Sequence, residues 1–370
     1  MLKKVQKNRV KDNRLILLLC SALFSLIFLF TTSALAQPSS KALPQWHNSQ
    51  LAKKSSLRGS AIIGNSLWVS GSNNTVFVSQ DGGKTWQDKS PKLSLAKKLN
   101  SDFRDIALFD ANTAIIMGVG NGEQSVLYKT NNGGDSWQLL YPNKDKLGFF
   151  DSIAFWDKQT GLLLGDPVDG YYVIKKTTDG GKTWRRIAKQ KLPQILPKEG
   201  AFAASGNTLI VGKNNKAWIT TGGFSASVYV SSDKGETWQR QLVPLYNQTA
   251  TAGGYSLALN AQQQIFVLGG DYKQRPKSYA NIASYINKKW QWVHSGQHGL
   301  RTAMSCLQNT CIATGKTGSD ISFDHGKNWQ VLPNKTMPKN EQGFYTLAAD
   351  DGIFLAAGEK GKVAILQRQQ

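Results

Sequence analysis

Cysteine, histidine and methionine are scarce in this sequence, at three, four and four of 370 residues. His47, His294, His298 and His325 are too scattered for a recognisable metal-ligand set, and no paired-cysteine zinc spacing occurs. There is no CxxCH haem attachment and no Rossmann glycine fingerprint, and no stretch completes the phosphate-loop pattern. Neither a metal nor a cofactor is therefore expected. Acidic residues are also few, 24 against 45 Lys and Arg, which gives a formal charge of +21. Helical periodicity is nearly absent. Only one apolar run is long enough to matter to a membrane, and it lies at the N-terminus.

That run is Leu15 to Phe30, LILLLCSALFSLIFLF, behind a basic start containing Lys3, Lys4, Lys7, Arg9, Lys11 and Arg14. Ala34-Leu35-Ala36 then fits a small-x-small cleavage site. Residues 1–36 read as a signal peptide and 37–370 as one domain, with an uncleaved N-terminal anchor as the alternative. Export to the periplasm or the extracellular space is expected. Removing a leader with six basic residues and Asp12 leaves about +16 on the mature chain. That charge favours a protein partner or another anionic ligand, including membrane protein complexes. The lysines are dispersed and the chain is exported, so nucleic acid is not expected. Cys306 and Cys311 flank a short LQNT link between two β-like segments. They could face each other as a hairpin disulfide, or remain two buried thiols.

What the sequence has in quantity is repetition. SQDGGKTW (Ser79 to Trp86) returns as TNNGGDSW, TTDGGKTW, SSDKGETW and SFDHGKNW, ending at Trp137, Trp184, Trp238 and Trp329. A worn copy ends at Trp290, and successive tryptophans lie 39 to 54 residues apart. Each octet follows three short apolar segments, and a fourth segment begins at its Trp. Four strands per repeat is the blade of a β-propeller. First strands are expected near Arg58, Phe103, Phe150, Gly200, Gly254, Leu300 and Phe344, which counts seven blades. The last copy lacks its fourth strand, and LPQWHN (Leu43 to Asn48) is a spare strand that can supply it. The expected fold is an all-β, seven-bladed propeller closed by strands from both termini. A ring that closes within one chain is expected to be monomeric.

The octet pattern S/T-x-D-x-G-x-T-W resembles the Asp-box, or BNR, turn of sialidase-like propellers. A calcium loop is a poor reading, because each copy supplies only one or two acidic groups. Recurrence makes the octet a building element instead. FRDIALFD, FFDSIAFWD, LLLGDPVDG and EGAFAASG extend the resemblance to propellers of the photosystem II stability and assembly factor type. That resemblance implies a non-catalytic scaffold, and a photosystem II assembly role where the source is photosynthetic.

Function should sit where the repeats differ. First strands line a propeller's axis, and their opening residues include Arg58, Arg104, Asp151, Glu199, Tyr255, Arg301 and Tyr345. Asp166 and Asp169 in the GDPVDG loop could flank the same rim. The plain reading is a set of structural ion pairs. The sharper one is an anion or peptide-carboxylate site, since Arg offers a bidentate fork. A sialidase-like or other glycoside hydrolase is the alternative. Its resemblance implies an arginine triad, a Tyr–Glu nucleophile and an Asp acid, yet FRDI has Asp105 and no Pro where the sialidase pattern reads Arg-Ile-Pro.

Overall fold

The computed structural model describes residues 43–277, 280–338 and 341–368. The expected leader and its cleavage point lie outside them. The described chain forms seven four-stranded antiparallel sheets, each a meander of hydrogen-bonded neighbours. Blade 1 holds β2 to β5, from Leu57–Ile63 to Gln87–Asp88, and β1 is His47–Gln50. Blade 2 runs from β6 (Asp102–Leu108) to β9 (Gln138–Pro142). Blade 3 runs from β10 (Phe150–Phe155) to β13 (Arg185–Arg186), by way of β11 (Gly161–Val168) and β12 (Tyr171–Thr177). Blade 4 holds β14 (Leu209–Val211) to β17 (Gln239–Leu242), and blade 5 holds β18 (Ala252–Leu259) to β21 (Lys289–Trp292). Blade 6 holds β22 (Ala303–Leu307) to β25 (Gln330–Leu332).

Blade 7 closes the ring. It takes β26 (Thr346–Asp350), β27 (Ile353–Ala357) and β28 (Lys362–Gln367) from the C-terminus and β1 from the N-terminus. The register sets His47 opposite Ile365 and Gln50 opposite Lys362. Trp46, ahead of β1, is buried with its ring 5.1 Å from Phe344. The spare N-terminal strand thus covers an edge that would otherwise stay open to aggregation.

The core is distributed between blades. Each of the seven junctions has its own apolar cluster. Trp68, Val76 and Val78 of blade 1, for example, meet Phe103, Ile116, Tyr128 and Trp137 of blade 2. Second strands have a blade on both faces, so Ser66–Gly71 and Ala114–Val119 are buried throughout. Outer strands are short and exposed, as in Gln87–Asp88 and Arg185–Arg186.

The octets join third to fourth strands, and their geometry explains their composition. Ser79 Oγ accepts from Gly83 N at 2.9 Å and donates to Asp81 Oδ1 at 2.7 Å. Asp81 also accepts from Thr85 N at 2.9 Å and Thr85 Oγ1 at 2.6 Å. The same bonds recur around Asp179, Asp233 and Asp324. In the first copy Gly82 and Gly83 have φ of 72° and 92°, a left-handed conformation that favours glycine. The Thr183 hydroxyl and amide hold the Asp179 carboxyl down to about 2. Each acid is consumed by its own turn. The worn copy is a tight hairpin over Asn287 and Lys288, at φ 50° and 61°.

Cys306 and Cys311 are registered opposite each other on β22 and β23 (Thr310–Gly315) and are joined as a disulfide. One expected element is absent. Blade 4 does not begin its first strand at Gly200, which makes only an isolated bridge to Gly222. Ladder pairing starts at Leu209 and lasts three residues. Residues 201–208 leave the sheet.

Candidate functional site

The departing segment runs across the axis. Arg104 Nη1 donates to Ala203 O at 2.8 Å, and Arg58 Nη1 to Ala204 O at 3.4 Å. Ser205 Oγ donates to Thr302 O at 2.7 Å, and Leu257 N to Asn207 O at 2.8 Å. The Phe202 ring stacks on Tyr255 with centroids 4.4 Å apart, and Ala204, Tyr255 and Leu300 form a small apolar cluster with it. Segment 201–206 is therefore a plug tied to blades 1, 2, 5 and 6 and, through Gly206, to blade 3. Gly206 has φ of 76°, and a Cβ there would drive into the Asp105 carboxylate. Only glycine lets the plug pass so close.

Asp105 anchors this crossing. Its carboxyl accepts from Ile106 N at 2.8 Å and Ile153 N at 2.7 Å. Ser152 Oγ lies 2.9 Å from Asp105 Oδ2 and 2.6 Å from Gly206 O. One hydroxyl proton cannot serve both acceptors. Burial pushes Asp105 up to about 7 against the pull of its three donors. In the neutral form Asp105 donates to Ser152, and Ser152 is free to donate to the plug.

The plug divides the axial channel into two cavities. The second halves of the first strands, from Ser60–Ile62 round to Leu347–Ala349, line one of about 730 Å³. The first halves line the other, of about 360 Å³, together with Ala201 to Ala204. This second cavity is where the unequal residues gather. Arg58, Arg104, Asp151, Asp166, Tyr255 and Tyr345 all line it.

Their surroundings separate supports from available groups. Arg104 is paired with Asp102 at 2.8 Å. Arg58 lies over the Tyr345 ring at 4.5 Å, and burial, then Arg104, lowers its proton affinity. Tyr345 OH donates to Glu359 at 3.0 Å, and Lys316 pairs with the same carboxylate at 2.7 Å. The Tyr255 hydroxyl is spent on Thr251 O, and burial raises it. Asp151 is 1% exposed, and among the described residues no hydrogen bond reaches its carboxyl. Burial, and then the nearby Asp166, raise it well above the usual carboxylate range. Desolvation raises Asp166 as well.

Three expected site residues lie elsewhere. Asp169 is an exposed turn residue between β11 and β12, at φ 54°. Glu199 is buried inside blade 4, accepting from Leu196 N, Thr221 Oγ1 and Tyr229 OH at 2.7, 2.5 and 3.0 Å. Arg301 is completely buried within blade 6, paired with Asp320 at 2.7 Å. Arg301 forms a structural ion pair, whereas Glu199 is held by neutral donors.

Sequence reasoning also missed part of the cavity wall. Phe149, Phe202, Tyr272, Arg275 and Lys316 line it. Arg275 and Tyr272 lie beyond the end of β19 (Ile265–Asp271), and Lys316 follows β23, so none occupies a first strand. Arg275 makes no side-chain hydrogen bond or ion pair among the described residues. The cavity thus presents four cationic groups among aromatic rings, two of them without a carboxylate partner. Such a wall can hold a carboxylate by charge-assisted bonds and an apolar neighbour by ring contact.

The model of the DUF6242 beta propeller domain matches residues 27–290 of the chain. No curated protein matches it in sequence. Among solved structures, YCF48 bound to D1 peptide is 16% identical, with 89% of this chain and 100% of that chain covered and a TM-score of 0.64. YCF48 from Cyanidioschyzon merolae is 15% identical, with 87% and 99% covered and a TM-score of 0.62. The GH74 enzyme of Niastella koreensis is 12% identical, with 86% of this chain and 53% of that chain covered and a TM-score of 0.59. These likenesses show the fold.

Proposed function

The chain belongs to the DUF6242 β-propeller family, and on that premise we propose that it is a non-catalytic binding or assembly propeller acting outside the cytoplasm. Its partner is a protein that delivers an acidic group into the arginine-lined cavity. The observation that carries this reading is the chemistry of that cavity: among the described residues Arg58 and Arg275 have no carboxylate partner, while aromatic rings share its wall. Protein ligands suit such a wall, because guanidinium groups take a carboxylate and rings take the adjoining side chain. The net positive charge would speed encounter with an acidic partner. The solved YCF48 structure with a peptide is consistent with this reading, and in a photosynthetic source it would extend to photosystem II assembly.

The decisive experiment compares two baits in the native envelope fraction, wild type and Arg58→Ala/Arg275→Ala. A protein retained by the first and lost by the second is expected. Identical recovery with both baits would remove the cavity from the function.

One observation favours a second reading, glycoside hydrolysis. Tyr345 OH and Glu359 are 3.0 Å apart, and Tyr345 shares the cavity with Arg58, Asp166 and Asp151, whose carboxyl burial raises well above the usual range. That is a Tyr–carboxylate pair, an arginine group and a carboxyl of raised proton affinity on one propeller. Turnover of a sialoside or an aryl glycoside by wild type, lost in both Tyr345→Phe and Asp151→Asn, would establish it instead.

A further inference from the structure

Beyond the central cavity, a second cavity of about 340 Å³ opens between blades 2 and 3. Phe149 and Asp166 belong to the walls of both. The two spaces are therefore neighbours, with these two side chains forming the waist between them. The outer wall of the second cavity carries an arrangement that costs stability. On neighbouring strands of blade 3, Lys175 is registered opposite Arg186, and Lys176 opposite Arg185. Like charges placed directly opposite are destabilising.

The two pairs are treated differently. Successive residues point to opposite faces of a strand. On the blade 4 side, Glu236 takes Lys176 at 2.9 Å, Arg185 at 2.7 Å and Lys191 at 3.6 Å. On the blade 2 side no carboxylate is paired with Lys175 or Arg186 among the described residues. Lys175 rests on Tyr141, bonded to its hydroxyl at 3.1 Å, with Nζ 5.3 Å from the ring centroid. The Arg186 side chain is exposed and has no hydrogen-bond or ion-pair partner among the described residues. The nearby Asp145 accepts from Leu147 N within its own loop. The fold supplies the missing anion on one face only.

We propose that the open face is a second subsite for the same ligand, an extended polypeptide segment that enters the central cavity, crosses Phe149 and sets a further acidic residue between Lys175 and Arg186. This rests on the binding reading given above. Three features select a polypeptide over a purely ionic polymer. Trp184 and Phe150 supply an apolar wall beside the cations. Leu147, at the rim, is 90% exposed and offers a contact for an apolar side chain. Asp166 at the waist would repel a continuous run of negative charge, so the ligand is acidic at both ends and neutral between.

Fluorescence anisotropy with two labelled peptides tests this. The short probe is an acidic peptide of about three residues, whose extended length of ~10 Å serves one cavity. The long probe adds a neutral, partly apolar stretch and a second acidic end, to about ten residues and ~35 Å. Wild type should bind the long probe at least about tenfold more tightly. Arg186→Glu should abolish that advantage, leave the short probe unchanged, and leave the melting temperature equal or higher. A purely structural arginine would lower it. Arg275→Ala should weaken both probes. If Arg186→Glu leaves long-probe affinity intact while Arg275→Ala weakens both, the second subsite is refuted and the central reading stands. If Arg275→Ala weakens neither, the central reading itself fails. If a uniformly acidic glycan competes equally well with the long probe, the polypeptide assignment is overturned.

Discussion

Asp105→Asn should make the protein's stability curve cross that of the wild type as pH rises. The Asp105 carboxyl lies at about 7 in the folded chain and 3.8 when unperturbed. Its folded value is raised, so its contribution is fully present below 3.8 and is lost as pH rises through 7. At ~1.4 kcal/mol per pH step the full span is about 4 kcal/mol, and between pH 5 and pH 8 about 2 to 3 kcal/mol. Asparagine cannot titrate. Its amide nitrogen can replace the acid proton toward Ser152, but it then confronts Ile153 N, also a donor. One buried N–H left unmade costs about 1–3 kcal/mol. Asp105→Asn should therefore be less stable than wild type at pH 5 and equal or more stable at pH 8. Urea unfolding followed by tryptophan fluorescence, at four pH values, measures both curves. Asp151 carries a shift of the same sign, but it is present in both proteins and leaves their difference unaffected. A difference that stayed constant across pH would refute the protonated Asp105–Ser152–Gly206 chain.

Arg301→Ala should cost about 3–5 kcal/mol in the same assay without changing ligand affinity, because it strands Asp320 in the interior of blade 6. Reducing the Cys306–Cys311 bridge should cost only about 2 kcal/mol, since a sequence separation of 5 closes a short loop; the melting temperature with and without reductant reads it. Deleting residues 43–50 should expose the edge of β28 and empty the place of Trp46. Analytical ultracentrifugation should then show more self-association than in the intact chain.

The ring was legible because it is written several times. Octets mark the third turn of blades 1, 2, 3, 4 and 6, and the missing fourth strand of the last repeat pointed to the N-terminal one. Blade 5 was readable from Trp290 although its turn had shrunk to Asn287–Lys288. The site was legible only where it obeyed the repeat. Arg58, Arg104, Asp151, Tyr255 and Tyr345 open first strands, and five such positions converge as periodicity predicts. Arg301 occupies the corresponding position, but Asp320 on β24 (Gly318–Ser322) turns its guanidinium into the blade. Position along a strand therefore did not fix side-chain direction. Arg275 and Lys316 come from second-strand ends, where no recurring motif marks them.

The sharpest departure, at residues 201–208, carries the most mechanical consequence. A repeat protein can extend its first strand through this region, and six blades do. Blade 4 instead gives up most of its inner ladder and spends those residues on the axis. The lost pairing is replaced by bonds from five other blades, among them the two that Arg58 and Arg104 make to plug carbonyls. The same guanidiniums face the cavity where an anionic ligand would sit. A carboxylate is a stronger acceptor for Arg than a neutral carbonyl. Ligand binding would thus compete with the plug for its anchors, while Asp105 and Ser152 hold the plug's far end at Gly206. On the binding reading proposed above, the irregular blade would tie the occupancy of one mouth of the propeller to the closure of its axis.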